Sequence, residues 1–129
     1  MAYVTRDGVR LYYEDHGEGP AILLSHGYGA TSQMWQDQVA AFKDKYRIIV
    51  WDLRGHGDSA VPPADPPLSM DRLVQDVLDL MDHLQIERAH FVGNSAGGYV
   101  TQNLAMSHPE RIESAALFGS TPGLKNPQA

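Results

Sequence analysis

Apolar residues cluster in four short runs after residue 20, each bounded by turn-forming residues, at positions 21–24, 48–51, 90–92 and 115–118. Runs of this length are typical of strands that are buried on both faces of a parallel sheet. Upstream of them, apolar and polar residues alternate over positions 4–15 around Asp7-Gly8, a dipeptide that favours a tight turn. The pattern therefore predicts an N-terminal hairpin followed by four buried strands.

Helical periodicity is clearest over residues 70–84. Six apolar side chains there fall at i, i+3 and i+4 steps, and Asp76, Asp79 and Asp82 are expected to be turned elsewhere. Ser69 directly precedes the segment and is a suitable N-cap. These features predict a helix that buries one apolar face.

Shorter helices are expected over residues 34–43 and 96–108, and Pro109 ends the second of them. The alternation of strands and helices predicts an α/β fold with three layers, α/β/α, in which the N-terminal hairpin joins a mostly parallel sheet. A proline-rich stretch at 61–67 is better interpreted as a stiff surface loop than as a domain boundary. We therefore expect residues 1–129 to form a single compact domain.

The charge balance excludes several classes of partner. Ten basic residues against sixteen acidic ones give a net charge of −6, which argues against nucleic acid and anionic membranes. No apolar run approaches the length of a membrane span and no signal peptide is visible, so we expect a cytoplasmic protein. Without cysteine the chain has no disulfide framework, thiolate metal site or cysteine nucleophile, and we expect neither a metal nor a cofactor.

The segment Gly93-Asn94-Ser95-Ala96-Gly97 fits the pattern G-x-S-x-G and lies between a predicted strand and a predicted helix. A nucleophile elbow needs this arrangement, in which a tight turn strains the backbone at the serine and exposes its hydroxyl. Gly93 and Gly97 would leave room where the strand and the helix converge. A plain glycine-rich turn and a phosphate-binding turn are the alternatives, although the Gly-Lys-Ser/Thr ending of a P-loop is missing.

Two further stretches follow predicted strands: His26-Gly27-Tyr28-Gly29, and the segment 52–59, which reads Asp-Leu-Arg-Gly-His-Gly-Asp-Ser. With the G-x-S-x-G segment, they make the chain resemble the α/β-hydrolase fold superfamily, and within it small esterases, enol-lactone hydrolases and carbon–carbon bond hydrolases. The resemblance covers essentially all 129 residues. It implies an enzyme, a serine hydrolase whose small-molecule acyl substrate is an ester, a lactone or an activated carbonyl compound.

The resemblance also implies a role for each matching position in the reaction. Ser95 would be the nucleophile, and the backbone N–H groups of Tyr28 and Ala96 would form the oxyanion hole. His26 would brace the loop that contains Gly27 and Tyr28. Losing one oxyanion-hole donor costs roughly 3–4 kcal/mol in comparable enzymes, so the placement of these amides matters.

Other matching positions are expected to have supporting roles. By the same resemblance, Asp52 and Arg54 would hold the turn after the fourth strand, and His56 would be a loop residue. Trp35 stands where members of this group often have a tryptophan. Tyr28 and Trp35 would either border the acyl pocket or serve as packing residues.

The acid and the base of a catalytic triad are missing from their expected positions. In this superfamily the chain order is Ser, acid, His, and only 34 residues of the 129 follow Ser95. His108 is too far along the same helix, and His26, the one histidine expected at the same end of the sheet as Ser95, is interpreted as a brace. We therefore expect a truncated core of about the first six strands, without the lid and the C-terminal strands, whose acid and histidine come from outside this chain.

The last predicted strand, within residues 112–119, would then be an apolar strand on an exposed edge, which invites pairing with another chain. The alternative to a hydrolase is a catalytically silent module that self-associates, as a homodimer, or binds a complementary chain through this strand. A nucleotide-binding module that uses the turn at 93–98 is a third interpretation, which the acidic net charge and the missing P-loop lysine disfavour.

Overall fold

The computed structural model describes residues 2–6, 9–59 and 69–119 and contains one six-stranded sheet. The strands are β1 (Ala2–Arg6), β2 (Val9–His16), β3 (Ala21–Ser25), β4 (Arg47–Trp51), β5 (Ala89–Asn94) and β6 (Ile112–Phe118). The helices are α1 (Gln36–Phe42), α2 (Met70–His83) and α3 (Ala96–Ser107), with short 3₁₀ turns at Ser32–Trp35 and Pro109–Arg111.

The spatial order of the strands is β1-β2-β4-β3-β5-β6. The hairpin strands β1 and β2 are antiparallel, and β2 pairs antiparallel with β4, whereas β3 to β6 run parallel to one another. Parallel strands end at the same edge of a sheet, so the loops that follow β3, β4 and β5 meet there. The register agrees, because Ser25 pairs with both Trp51 and Gly93.

The sheet separates two apolar layers. The larger layer packs α2 and α3 against one face, where it includes the strand residues Leu23, Ile49 and Phe91. The smaller layer lies under α1 on the other face and contains Leu24, Trp35, Ile48 and Val50. Successive strand residues such as Leu23 and Leu24 therefore enter opposite layers, as the period of a strand requires. The predicted three-layer α/β fold is confirmed.

Most of the predicted elements are present, with small differences at their ends. Ser69 caps α2 as predicted, because its Oγ accepts a 3.2 Å hydrogen bond from the Arg72 amide. The segment 34–43 is divided between a 3₁₀ turn and α1 instead of forming one helix. The predicted turn at Asp7-Gly8 and the proline-rich loop at 61–67 lie outside the described residues.

Asp76 corrects the interpretation of α2. The periodicity predicted that this residue points away from the apolar face. Instead, its side chain is fully buried and forms a bidentate ion pair with Arg54. Burial raises the pKa of Asp76, and the hydrogen bonds and positive charge of Arg54 oppose that rise. The buried guanidinium is the physical reason why a carboxylate is tolerated on the inner face of this helix.

Strand β6 is the outermost strand of the described sheet on its side, next to β5. Most of its residues are exposed, including Leu117 at 39% and Phe118 at 55%. Phe118 also borders an apolar cleft of about 370 Å³, which lies between α1 and the sheet and is lined by Trp35, Phe42 and Val92 among others. An exposed strand of this length with apolar side chains is a candidate for pairing with another chain.

Candidate active site

The turn between β5 and α3 holds Ser95 in an unusual backbone conformation. Its φ is +52° and its ψ is −114°, a combination that glycine adopts easily and other residues rarely adopt. Ala96 follows as the first residue of α3, so its amide has no preceding helical carbonyl as a partner. A strained serine at a helix N-terminus is the geometry expected of a nucleophile elbow.

Two glycines make this turn possible. A Cβ at Gly93 would lie 2.5 Å from the carbonyl oxygen of Gly97, and a Cβ at Gly97 would collide with the carbonyl of Ser25. The first contact is between β5 and the start of α3, and the second is between α3 and the end of β3. Both positions need glycine because backbone atoms, which cannot move aside like a flexible side chain, occupy the space.

The loop that follows β3 approaches the elbow closely. A Cβ at Gly27 would lie 3.1 Å from the Cβ of Ser95 and 3.1 Å from the Nδ2 of Asn94. Residues 27–30 form a β-turn in which the Ala30 amide donates a 3.0 Å hydrogen bond to the Gly27 carbonyl. Gly29, at φ +81°, supplies the positive φ that the third position of a type II turn requires. We call residues 26–32 the oxyanion loop, after the role that the resemblance implies for Tyr28.

His26 fixes the first peptide of this turn. The ring is fully buried, its Nδ1 lies 2.7 Å from the Gly27 carbonyl, and its Nε2 lies 2.8 Å from the Leu53 amide nitrogen. The Leu53 N–H can only donate, so Nε2 accepts and the proton of a neutral ring is on Nδ1, which donates to the Gly27 carbonyl. Burial lowers the pKa of His26 below its ordinary value of 6.5, and the neighbouring His56 lowers it further.

The loop after β4, residues 52–59, is folded around the buried carboxylate of Asp52. Oδ1 accepts a 2.7 Å hydrogen bond from the Ser32 amide, and Oδ2 accepts one of 2.9 Å from the Asp58 amide. A Cβ at Gly57 would collide with this carboxylate, so glycine is required at the closest approach. Asp52 thus connects the end of the oxyanion loop to the loop after β4, whereas Arg54 connects the latter to α2.

The six histidines of the chain all lie within the described residues, and each has a partner other than Ser95. Both ring nitrogens of His26 are occupied, which opposes a role for it as a base. His108 follows the far end of α3, roughly 20 Å along the helix axis from Ser95 at 1.5 Å per residue.

Within the described ranges, no group of three or more metal-ligating side chains is arranged around a common point.

His56 is the residue that the sequence interpretation underestimated. It was expected to be a loop residue, and His26 was expected to be the one histidine at this end of the sheet. Instead, the His56 ring lies 5.1 Å from the ring of His26 and 5.1 Å from that of Tyr28, measured between centroids. Its position five residues after the end of β4 is the signal that could have placed it at this edge.

The two aromatic residues considered for the acyl pocket differ sharply in burial. Trp35 is buried in the smaller apolar layer under α1, where it also lines the apolar cleft that Phe118 borders. Tyr28 is 76% exposed and contacts His56 with its ring.

The helices in the described parts of the chain all lack the length and apolarity required to cross a membrane.

Comparison with known proteins gives consistent relatives. The sequence model of the alpha/beta hydrolase fold family matches residues 20–129. The chain is 40% identical over 128 residues to 3-oxoadipate enol-lactonase 2 of Acinetobacter baylyi, an alignment that covers 98% of this chain and 47% of that protein. It is 33% identical over 128 residues to bifunctional epoxide hydrolase 2 of Rattus norvegicus, covering 98% of this chain and 23% of that protein.

Solved structures lead to the same conclusion. The crystal structure of the enol-lactonase from Burkholderia xenovorans LB400 superposes with a TM-score of 0.83 at 41% identity, and the match covers 88% of this chain and 45% of that one. The chain therefore spans about half the length of its lactonase relatives. Since the family model matches most of the sequence, this chain belongs to the alpha/beta hydrolase fold family.

Proposed function

We propose that this chain supplies the nucleophile and the oxyanion hole of a serine hydrolase that acts on an ester, a lactone or an activated carbonyl compound. Ser95 is the nucleophile, and the amides of Ala96 and Tyr28 are the oxyanion donors. The observation that carries the proposal is the strained backbone of Ser95 at the junction of β5 and α3. A structure does not keep such strain, which costs about 1–3 kcal/mol, unless its surroundings impose it.

The peptide between Gly27 and Tyr28 supports the second donor. Its carbonyl is held from one side by the His26 ring and the Ala30 amide. In a trans peptide the N–H points opposite to the C=O, so the Tyr28 N–H is directed away from those two donors. Gly27 itself packs against Ser95, which puts this peptide beside the nucleophile. His26 therefore sets the direction of an oxyanion donor through its own tautomer.

The proposed reaction is an acyl transfer in two steps. The Oγ of Ser95 attacks the carbonyl carbon and its proton passes to a base, while the carbonyl oxygen becomes negative and accepts hydrogen bonds from Ala96 and Tyr28. Collapse of this intermediate breaks the bond to the leaving group, which receives the proton, and leaves an acyl-serine. Water then attacks the acyl group by the reverse sequence and frees Ser95.

The base and the acid that orients it are proposed to come from residues outside this chain. The six histidines have other partners, and the matched part is less than half of each lactonase relative. A serine without a base reacts slowly, because its hydroxyl is weakly nucleophilic until the proton is removed. The names of the relatives, two of which are enol-lactonases, favour a lactone or ester substrate.

Activity-based labelling tests the proposal. A fluorophosphonate probe is applied to cells that express the complete gene, so that any segment or partner that supplies the base is present. We expect a phosphonyl adduct on Ser95, its loss in Ser95→Ala and its retention in Ser107→Ala, a serine at the other end of α3. Absence of the adduct from the wild-type protein, or its persistence in Ser95→Ala, would overturn the proposal.

The exposed strand β6 favours a second candidate, a catalytically silent module that pairs with a second copy or with a complementary chain. Leu117 and Phe118 are exposed on opposite faces of this strand, and its outer edge has no neighbour among the described strands. Pairing of two β6 strands about a two-fold axis is the simplest closed arrangement. Sedimentation velocity tests it, because a monomer that stays monodisperse at all accessible concentrations contradicts self-association.

A further inference from the structure

We propose that the loop after β4, residues 52–59, positions the oxyanion loop, and that His56 is a positioning residue which acts through Tyr28. This inference rests on the proposed function and deepens it, since it assigns a role to a residue that the sequence analysis interpreted only as a loop residue. Neither His56 nor Asp52 touches the reacting atoms in the proposed reaction. Their effect is to fix the peptide that carries an oxyanion donor.

Contacts at the beginning, middle and end of the oxyanion loop connect it to this support. At the beginning, the Leu53 amide donates to the Nε2 of His26 at 2.8 Å. In the middle, the ring of Tyr28 packs edge-to-face on the ring of His56. At the end, the Ser32 amide donates to the Asp52 carboxylate at 2.7 Å. The donor peptide of Tyr28 lies between these attachment points, so its orientation depends on them.

The supporting loop is itself held rigidly. The Oγ of Ser59 donates to the Asp52 carbonyl at 2.6 Å and accepts a 2.9 Å hydrogen bond from the Tyr12 amide on β2. On the opposite side, the buried pair between Arg54 and Asp76 fastens the loop to α2. The loop is thus attached to both a strand and a helix of the core, and a contact with it positions a neighbour more firmly than a contact with solvent-exposed side chains.

The contact with His56 matters most at Tyr28, where the oxyanion loop has little other side-chain support. The side chain of Tyr28 is 76% exposed, and its ring contact is with His56. The His56 ring also contacts the buried ring of His26, so it bridges the exposed and the buried parts of the oxyanion loop. Without it, the turn at Gly27 and Tyr28 would keep its hydrogen bonds but would lose a ring contact that restrains Tyr28.

The test compares three variants of the complete gene product in the hydrolysis of p-nitrophenyl acetate. For His56→Ala we expect kcat to fall by about tenfold, the effect of a small misplacement of a catalytic group, while KM changes little. His56→Phe keeps a ring against Tyr28 and should restore most of the rate. His83→Ala is the matched control. His83 is the last residue of α2 and makes a similar edge-on contact with Tyr13, so this variant should leave kcat unchanged.

Affinity for a trifluoromethyl ketone, which forms a charged tetrahedral adduct with a serine, gives a second readout. His56→Ala should weaken this affinity by about the same factor as kcat, since both depend on the oxyanion hole. An unchanged kcat in His56→Ala, or a His56→Phe variant that folds but is no better than His56→Ala, would overturn the inference. Hydrolysis that persists in Ser95→Ala would instead show that the proposed function is wrong.

Discussion

The amide of Ser95 donates a 2.7 Å hydrogen bond to the carbonyl of Phe118, the last residue of β6. The proposed nucleophile is therefore attached directly to the strand that the described sheet leaves exposed. Gly119, at φ +63°, turns the chain at this point, and a Cβ there would lie 3.7 Å from the Ser95 nitrogen. A chain that pairs with β6 would therefore bind the strand whose last residue holds the Ser95 amide.

The strain at Ser95 predicts an unusual order of stabilities. Replacing Ser95 by glycine should raise the free energy of unfolding by about 1 kcal/mol relative to Ser95→Ala, because glycine accepts φ +52° without strain. At Gln102, in the interior of the helix α3, the order should be reversed, since glycine is the poorer helix former. Urea denaturation of the four variants measures both differences, and equal stability of the two Ser95 variants would contradict the strain.

The buried pair of Arg54 and Asp76 should contribute strongly to stability. Asp76→Asn removes the negative charge from a fully buried site and should cost about 3–5 kcal/mol in the free energy of unfolding. Asp82→Asn is the control on the same helix, because Asp82 pairs with Arg111 at the surface and its loss should cost less than about 1 kcal/mol. Chemical denaturation distinguishes the two, and a similar small cost for both would show that burial adds nothing.

The buried ring of His26 makes stability depend on pH. Its pKa is lowered in the folded state, whereas the unfolded chain has the ordinary value of 6.5. Between these two pKa values the unfolded state binds more protons, so the stability present above pH 6.5 should be lost as the pH falls below it. We expect the free energy of unfolding to fall more steeply below pH 6.5 in the wild type than in His26→Gln. Parallel curves would refute this.

A charge on β6 should suppress association through its edge. Ala116→Lys places an ammonium group in the middle of the strand, where pairing with a second strand would bury it. In sedimentation velocity we expect this variant to shift toward the monomer at concentrations at which the wild type associates. Met106→Lys, which changes an exposed apolar residue on α3, should leave the association unchanged. If both substitutions have the same effect, general surface hydrophobicity drives the association.

The fold could be predicted because its signals are local. Each buried strand of the parallel sheet is a short apolar run, and the caps and periodicity of α2 are contained in adjacent residues. The strained turn at Ser95 was equally accessible, since two glycines and a serine within five positions determine whether the turn can form. Local steric requirements of this kind are visible in the sequence itself.

Part of the support of the site could not be predicted, because it depends on partners far apart in the chain. Asp76 looked like a surface carboxylate, since periodicity does not show that a buried Arg54 lies opposite it. The sequence left Trp35 open between the acyl pocket and the core, and only its packing under α1 shows that it is buried. The ring contact of His56 with Tyr28 joins residues 28 apart, and no local pattern indicates it.

The order of the strands also constrains how the protein is made. Strand β3 lies between β4 and β5, and the hairpin joins the sheet through β4 alone. During synthesis the hairpin can therefore join the sheet only after residues 47–51 have been made. The pairing of β3 on both sides is complete only after β5 has left the ribosome. Until then one edge of the apolar strand β3 has no partner, and the nascent chain exposes an unpaired strand edge of the kind that favours aggregation.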